Sequence, residues 1–170
     1  MTPPTSSRNR RLLWSGLLAV TTLVLAVALS TPLWSPPGRA TVMHLFALVC
    51  HQIPARSPVL GGVQLALCDR CLGIYLGLVI GVGTVGGARR LWRWAGRNDR
   101  YLLLGSLVPM GVDWFGPVLG LWPNSPVSRA LTGLVFGVIA ASFVADRVLW
   151  RSVRREKAPS STEGTGTGFA

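Results

Sequence analysis

The amino-acid sequence predicts an all-α integral membrane protein, a helical bundle of four transmembrane helices with one short interfacial or re-entrant helix. Apolar residues make up 49% of the 170-residue chain and charged residues only 14%, whereas soluble domains carry about 25% charged residues. Several stretches of about 20 residues contain few or no charges, and this length lets a helix cross ~30 Å of hydrocarbon. The basic residues cluster between these stretches. A membrane bundle is therefore favoured over a soluble domain.

The first predicted span covers residues 12–34 and follows a basic segment, residues 1–11. A cleaved secretory signal peptide is the alternative, because it also starts with basic residues and because Ala26-Val27-Ala28 resembles a cleavage site. The apolar core of a signal peptide has only about 7–15 residues. The longer run in this chain favours a retained membrane anchor.

A second, shorter apolar stretch follows the Pro-Pro-Gly sequence at residues 36–38. Residues 40–49 are too few to cross a bilayer, so this stretch predicts the interfacial or re-entrant helix. It opens a loop, residues 40–71, that contains all three cysteines of the protein.

Three further spans are predicted at residues 71–88, 101–121 and 127–150. Together with the first span they form one membrane domain, residues 12–150. The remaining residues, 151–170, begin with a basic segment and continue as a Ser/Thr/Gly-rich tail whose composition predicts disorder.

Small residues recur at helical spacing in two of the spans. Gly73, Gly77 and Gly81 are four residues apart and share one helix face, and Gly133 and Gly137 form a second pair. Such stripes let neighbouring helices approach closely. We expect them to serve packing, either within the bundle or between copies of the chain.

The formal net charge of +11 raises the possibility of nucleic-acid binding, which would require a basic folded surface. The basic residues instead flank membrane spans, so anionic lipid headgroups are the expected partner and no nucleic acid is expected. With the N-terminus in the cytoplasm and four crossings, 13 of the 17 basic residues lie inside. The positive-inside rule thus predicts a multi-pass protein of the bacterial inner (plasma) membrane with both termini cytoplasmic.

This topology places the residues that could bind a metal or take part in a reaction at the outer boundary of the membrane: Cys50, His51, Cys68, Cys71, Asp113 and Arg129. They are scattered over 80 positions of the chain. A site built from several helices has this pattern. A carboxylate within a membrane span is costly, so such a residue is by default functional or paired.

Zinc is the metal ion that these residue types favour. Thiolates and neutral imidazole are the donors that zinc prefers, usually four in a tetrahedron. We predict a zinc site with Cys50, His51, Cys68 and Cys71 as ligands, and expect Arg70 to offset its negative charge.

If that zinc were catalytic, Asp113 would be the candidate acid or base. Arg129 would be the candidate clamp for an anionic group.

Two alternatives remain open at this stage. The C-x-x-C pair Cys68–Cys71 lies at a predicted helix start, where the helix dipole lowers a thiol pKa, and this is typical of thiol–disulfide oxidoreductases. The second alternative is a non-catalytic structural or partner-binding subunit, in which the cysteines matter only for stability. A purely structural interpretation of the motif is a stapling disulfide between two of the three cysteines, with His51 capping a helix end.

The motifs resemble those of a known family. Three motif segments carry the resemblance: Cys50-His51-Gln52-Ile53-Pro54-x-Arg56-Ser57, Gly62-x-Gln64, and Cys68-x-Arg70-Cys71-x-Gly73-Ile74-Tyr75-x-Gly77. The chain resembles, over about residues 40–145, a family of small predicted prokaryotic membrane proteins known as domain of unknown function 2085.

The later Asp113 and Arg129-x-x-Thr132-Gly133 are similar to that family's second signature. The resemblance implies a multi-span membrane protein and brings no established activity. The chain departs from the family pattern at Asp69 and at Leu72, where members often have small or hydroxyl residues. Family members usually have an asparagine shortly before the arginine. In this chain that asparagine is shifted or replaced, since Asn124 and Pro126 occupy the turn before Arg129.

Overall fold

The structure is a computed structural model that describes residues 5–85 and 98–156. These two ranges contain five α-helices, which confirms the all-α prediction: α1 (Thr5–Leu29), α2 (Pro36–Ala47), α3 (Asp69–Val85), α4 (Asp99–Val118) and α5 (Pro126–Glu156). The segment between α2 and α3 contains a short antiparallel hairpin, with β1 at Val59–Leu60 and β2 at Val63–Gln64. Single 3-10 turns lie at Thr31–Leu33 and Pro54–Arg56.

Three of the helices are long and apolar enough to cross a membrane, within Arg8–Leu29 of α1, Arg100–Val118 of α4 and Pro126–Ala145 of α5. The 17 described residues of α3 measure about 26 Å at 1.5 Å per residue, slightly less than the ~30 Å hydrocarbon core. The end of its predicted span, residues 86–88, lies outside the described residues. Four transmembrane helices therefore stay a prediction, while three are supported.

The helix boundaries differ from the predicted spans for local reasons. α1 ends at Leu29 because Pro32, which lacks an N–H, lies in the 3-10 turn that follows. α4 ends at Val118, where Gly120 adopts a left-handed conformation with φ of 69°. The N–H of Gly120 donates to Pro117 O and that of Leu121 to Gly116 O, the bonding pattern of a Schellman helix end.

The helices α3 and α5 run parallel and in close contact. Gly73 faces the backbone of Ala130, Gly77 faces that of Leu134, and Gly81 faces Ala141. From the opposite helix, Gly133 and Gly137 lie against the Arg70 and Ile74 carbonyls. The predicted small-residue stripes are thus used for packing within the bundle.

The other long helices run in the opposite direction. The Trp14 indole near the start of α1 donates to Val82 O near the end of α3, at 2.8 Å. At the far end of α1, Ala28 packs in one cluster with Cys50 and Leu67. The first turns of α3 and α5 and the last turns of α1 and α4 therefore share one end of the bundle, which we call the cysteine end.

Adding a methyl group at Gly77 should separate α3 from α5. The new Cβ would overlap the Leu134 carbonyl oxygen, and overpacking of this kind costs about 1–3 kcal/mol. We expect Gly77→Ala to lower the unfolding free energy by that amount, measured by thermal or denaturant unfolding in detergent. The matched control is Gly83→Ala in the same helix, where no atom lies within 4 Å and the helix should be unchanged or gain about 0.5–1 kcal/mol. Equal effects of the two variants would contradict the packing role.

Candidate metal centre at the cysteine end

The three cysteines lie together. The Sγ atoms of Cys50, Cys68 and Cys71 are all within 4.8 Å of one another, and all three are free thiols. Sulfurs around a tetrahedral zinc, with Zn–S bonds of about 2.3 Å, are about 3.8 Å apart, whereas a disulfide requires about 2.05 Å. The upper limit of 4.8 Å is compatible with the sulfur separations around a zinc ion.

Each cysteine is placed by local backbone structure. Cys50 follows the turn that ends α2, where its N–H donates to Phe46 O at 2.9 Å. Cys68 immediately precedes α3, and its carbonyl accepts from the Leu72 N–H at 2.8 Å. Cys71 lies in the first turn of α3, three positions after Cys68 and therefore on the same side of the helix start. The Cys68 N–H also donates to Cys50 Sγ at 3.2 Å, and this bond ties the two segments together.

Gln52 holds the loop between Cys50 and Cys68 in shape. Its φ of 48° lies in the left-handed region, the only positive φ of a non-glycine residue in the described ranges. Its side-chain amide donates to Met43 O at 2.8 Å and to Ala66 O at 2.9 Å, and Gln64 donates to Gln52 O at 2.7 Å. These bonds join the end of α2 to the segment before α3, and they offset the backbone strain at Gln52. Sequence reasoning missed this role.

The environment of the cluster is apolar on the side of α1 and α2. Cys50 is only 3% exposed and packs with Ala28, Phe46 and Leu67. Ala28 belongs to the tripeptide that resembles a cleavage site, and it is fully buried in this cluster. The choice between a membrane anchor and a cleaved signal peptide at residues 12–34 stays a prediction.

The thiols influence one another electrostatically. Hydrogen bonding from the Cys50 thiol, and then from the Cys71 thiol, lowers the pKa of Cys68 below that of an ordinary thiol. Burial acts in the opposite direction and is the weaker influence. A lowered thiol pKa favours the thiolate, which is the form that binds a metal or acts as a nucleophile.

His51 stands apart from the three sulfurs. Its side chain is exposed, and its ring nitrogens are not among the ligand atoms that cluster in the described part of the chain. His51 as the fourth zinc ligand stays a prediction.

A network of charged residues lies on the other side of the first turn of α3. Arg129 donates from Nη2 and Nε to Asp69 Oδ2, at 2.8 and 3.1 Å. Arg70 donates to Asp113 Oδ2. The two residues between the paired cysteines thus reach two different helices, α5 and α4.

Uncharged side chains complete this network. Ser128 donates to Asp113 Oδ1 at 2.7 Å. The Asn124 amide accepts from Arg129 at 3.0 Å and donates to Asp113 O at 2.9 Å. Asn124, whose turn departs from the family pattern, therefore connects the two ion pairs.

The network brings Asp113 and Arg129 to the cysteine end, at the level where the sequence places them. Both are buried, and both already bond to charged and polar neighbours. Their catalytic roles stay predictions. Arg70, expected to offset the charge of a zinc site, instead pairs with Asp113. Sequence reasoning missed the roles of Asp69 and Ser128. For Asp69, the presence of opposite charges at the same end of the predicted spans was a usable signal.

A family model described as "Predicted membrane protein (DUF2085)" matches residues 50–143. The chain belongs to this family. The matched segment starts at Cys50 and includes the other two cysteines and the whole ion-pair network. The DUF2085 segment therefore contains the three cysteines, α3, α4 and most of α5, whereas α1 and α2 lie before it.

A relative with similar sequence is the uncharacterized protein MJ1492 of Methanocaldococcus jannaschii, 32% identical over 100 residues. The match covers 59% of this chain and 64% of the relative, so the chain spans less than two thirds of that protein's length. No solved structure matches the chain.

Proposed function

We propose that this membrane protein binds a zinc ion at the cysteine end, with Cys50, Cys68 and Cys71 as three of the ligands. The observation that supports it best is the mutual approach of the three sulfurs to within 4.8 Å. A disulfide accounts for two neighbouring cysteines, whereas a metal accounts for three. Zinc is the ion that prefers this donor set.

The surroundings of the sulfurs support the same proposal. Deprotonated thiols are costly to bury in apolar surroundings unless a cation neutralises them, and Cys50 is buried among apolar side chains. The Cys68 N–H donates to Cys50 Sγ, and such outer bonds orient metal ligands and tune them. Neither Arg70 nor Arg129 serves as the neutralising cation, because each pairs with an aspartate.

The fourth ligand in this proposal is His51. It directly follows Cys50 in an exposed loop, so a change of its side-chain rotamer and of the local backbone would be needed to bring a ring nitrogen to the metal. A closed Cys3His set is typical of structural zinc sites. The ion would fasten the loop after α2 to the first turn of α3.

Metal analysis of the purified protein tests this proposal. We expect about one zinc per chain, lost in Cys68→Ser because a hydroxyl is a poor zinc ligand in such a site. His51→Ala should weaken binding without abolishing it, since three thiolates remain. The matched control is Val59→Ser, an exposed hairpin position in the same loop, and it should retain the metal.

Metal-free protein with a Cys68–Cys71 disulfide would overturn the zinc proposal and favour a thiol–disulfide oxidoreductase. The lowered pKa of Cys68 at the start of α3 is the observation that favours this second candidate. Thiol trapping under native conditions, combined with elemental analysis, separates the two functions. A full complement of zinc with three trapped thiols after chelation supports the first.

We also propose that the cysteine end faces the outside of the cell, with four spans and both termini in the cytoplasm. The basic residues Arg8, Arg10 and Arg11 lie at the end of α1 away from the cysteines, where anionic headgroups of the inner leaflet would attract them. α2 is then an interfacial helix at the outer surface. Leu48 at its end is 87% exposed, and Leu45 and Val49 are also exposed, as expected for side chains that meet lipid.

Reporter fusions test this orientation. A fluorescent protein that folds only in the cytoplasm should fluoresce when fused to the C-terminus. A phosphatase that is active only outside the cytoplasm should be active when inserted between Gly61 and Gly62, at the hairpin turn. The same reporters exchanged between the two sites serve as controls and should be inactive. The reverse pattern would contradict the proposed topology.

A further inference from the structure

The two residues between Cys68 and Cys71 make long-range contacts of their own. A C-x-x-C metal motif needs nothing specific from its two middle residues except a suitable turn. In this chain they are Asp69 and Arg70, and both are paired with residues far along the sequence, 60 and 43 positions away. Their side chains anchor the turn instead of approaching the metal.

The two pairs pull the turn toward two helices. Asp69 Oδ2 accepts hydrogen bonds from both Nε and Nη2 of Arg129 on α5. A guanidinium held through two nitrogens fixes the orientation of the pair as well as its distance. Arg70 binds Asp113 on α4. The Asn124 amide joins the pairs, because it bonds to Arg129 and to the backbone of Asp113.

Three of the four charged residues are buried. Arg129 is 8% exposed, and Asp69 and Asp113 are each 7% exposed, whereas the Arg70 side chain is 19% exposed. Two acidic and two basic side chains cancel in charge. Removing one member would leave another charge unpaired in a poorly solvated place, which is costly. Arrangements of these side chains that separate the pairs are therefore disfavoured.

We propose that Arg129 and Asp113 are positioning residues for the metal. Their ion pairs fix the backbone conformation between two of its ligands, and thereby the separation of Cys68 Sγ from Cys71 Sγ. This inference depends on the proposed zinc function. It makes metal binding and the docking of α4 and α5 against α3 two linked equilibria, each of which strengthens the other.

Packing alone does not supply this coupling. The glycine contacts hold α3 against α5 over several turns, down to Gly81 and Ala141, and Gly133 also lies against the Arg70 carbonyl. They limit how closely the two backbones approach, whereas the side chains of Asp69 and Arg70 are held by the ion pairs. The ion pairs act directly on the turn that these two residues form. Loss of Arg129 should therefore change the metal site more than it changes the helical bundle.

The test is the zinc dissociation constant of the full-length protein in detergent, measured by chelator competition, for wild type, Arg129→Gln and Arg129→Lys. Outer-shell changes typically weaken metal binding 10–100-fold, and we expect a loss of this size in Arg129→Gln. Arg129→Lys should lie between Arg129→Gln and wild type, because it keeps the charge but not the two-nitrogen contact. The absorption spectrum of the cobalt-substituted protein should change in the same order while helical content stays constant.

Thr132→Ala is the matched control. Thr132 lies one turn beyond Arg129 in α5 and bonds only to backbone carbonyls of its own helix, so zinc affinity should stay at the wild-type value. If Arg129→Gln fails to fold, Asp113→Asn carries the test, since the amide keeps the size of the side chain and removes its charge. We expect the same weakening there.

Reciprocity gives a second readout. Saturating zinc should raise the melting temperature of wild type more than that of Arg129→Lys. Wild-type protein that binds zinc, with variants of equal affinity and equal zinc-induced stabilisation, would overturn the positioning role alone. Wild-type protein that binds no zinc would overturn the proposed function and this inference together.

Discussion

The pairing of Asp69 with Arg129 and of Arg70 with Asp113 is the interaction on which the cysteine end depends. Poorly solvated charged groups are costly unless they are paired, and these four pair with one another between α3, α4 and α5. Because Asp69 and Arg70 are consecutive, both ion pairs constrain the same turn of the backbone. That turn also carries Cys68 and Cys71, so the ion pairs and the sulfur cluster share a single structural element.

Opposite sides of the first turn of α3 face opposite environments. On one side the sulfurs lie among apolar residues from α1 and α2, including Ala28 and Phe46. On the other side the charged network joins α4 and α5. The glycine contacts below it bring α3 and α5 close enough for Arg129 to reach Asp69. A zinc ion would link Cys50, in the loop after α2, to Cys68 and Cys71 at this turn. All the described helices would then be connected at the cysteine end.

Much of this architecture could be predicted from the sequence, because hydropathy, glycine spacing and clustered arginines each report one physical constraint. The helical class and the packing role of Gly77 followed from such patterns, and so did the position of Asp113 at the same end of the bundle as the cysteines. The partners of each charge did not, since a charge pattern gives the membrane level and not the rotamer. Gln52 was missed for a similar reason. Its function depends on a left-handed backbone and two carbonyls brought together by folding.

X-ray absorption at the zinc edge of the purified protein measures directly whether three sulfurs of one chain bind one zinc ion, through the number and distance of the scattering atoms around the metal. We predict three sulfur neighbours at about 2.3 Å and one lighter neighbour, nitrogen or oxygen, at about 2.0–2.1 Å. A first shell made only of nitrogen and oxygen would contradict zinc binding by the cysteines, because the ion would then be bound elsewhere.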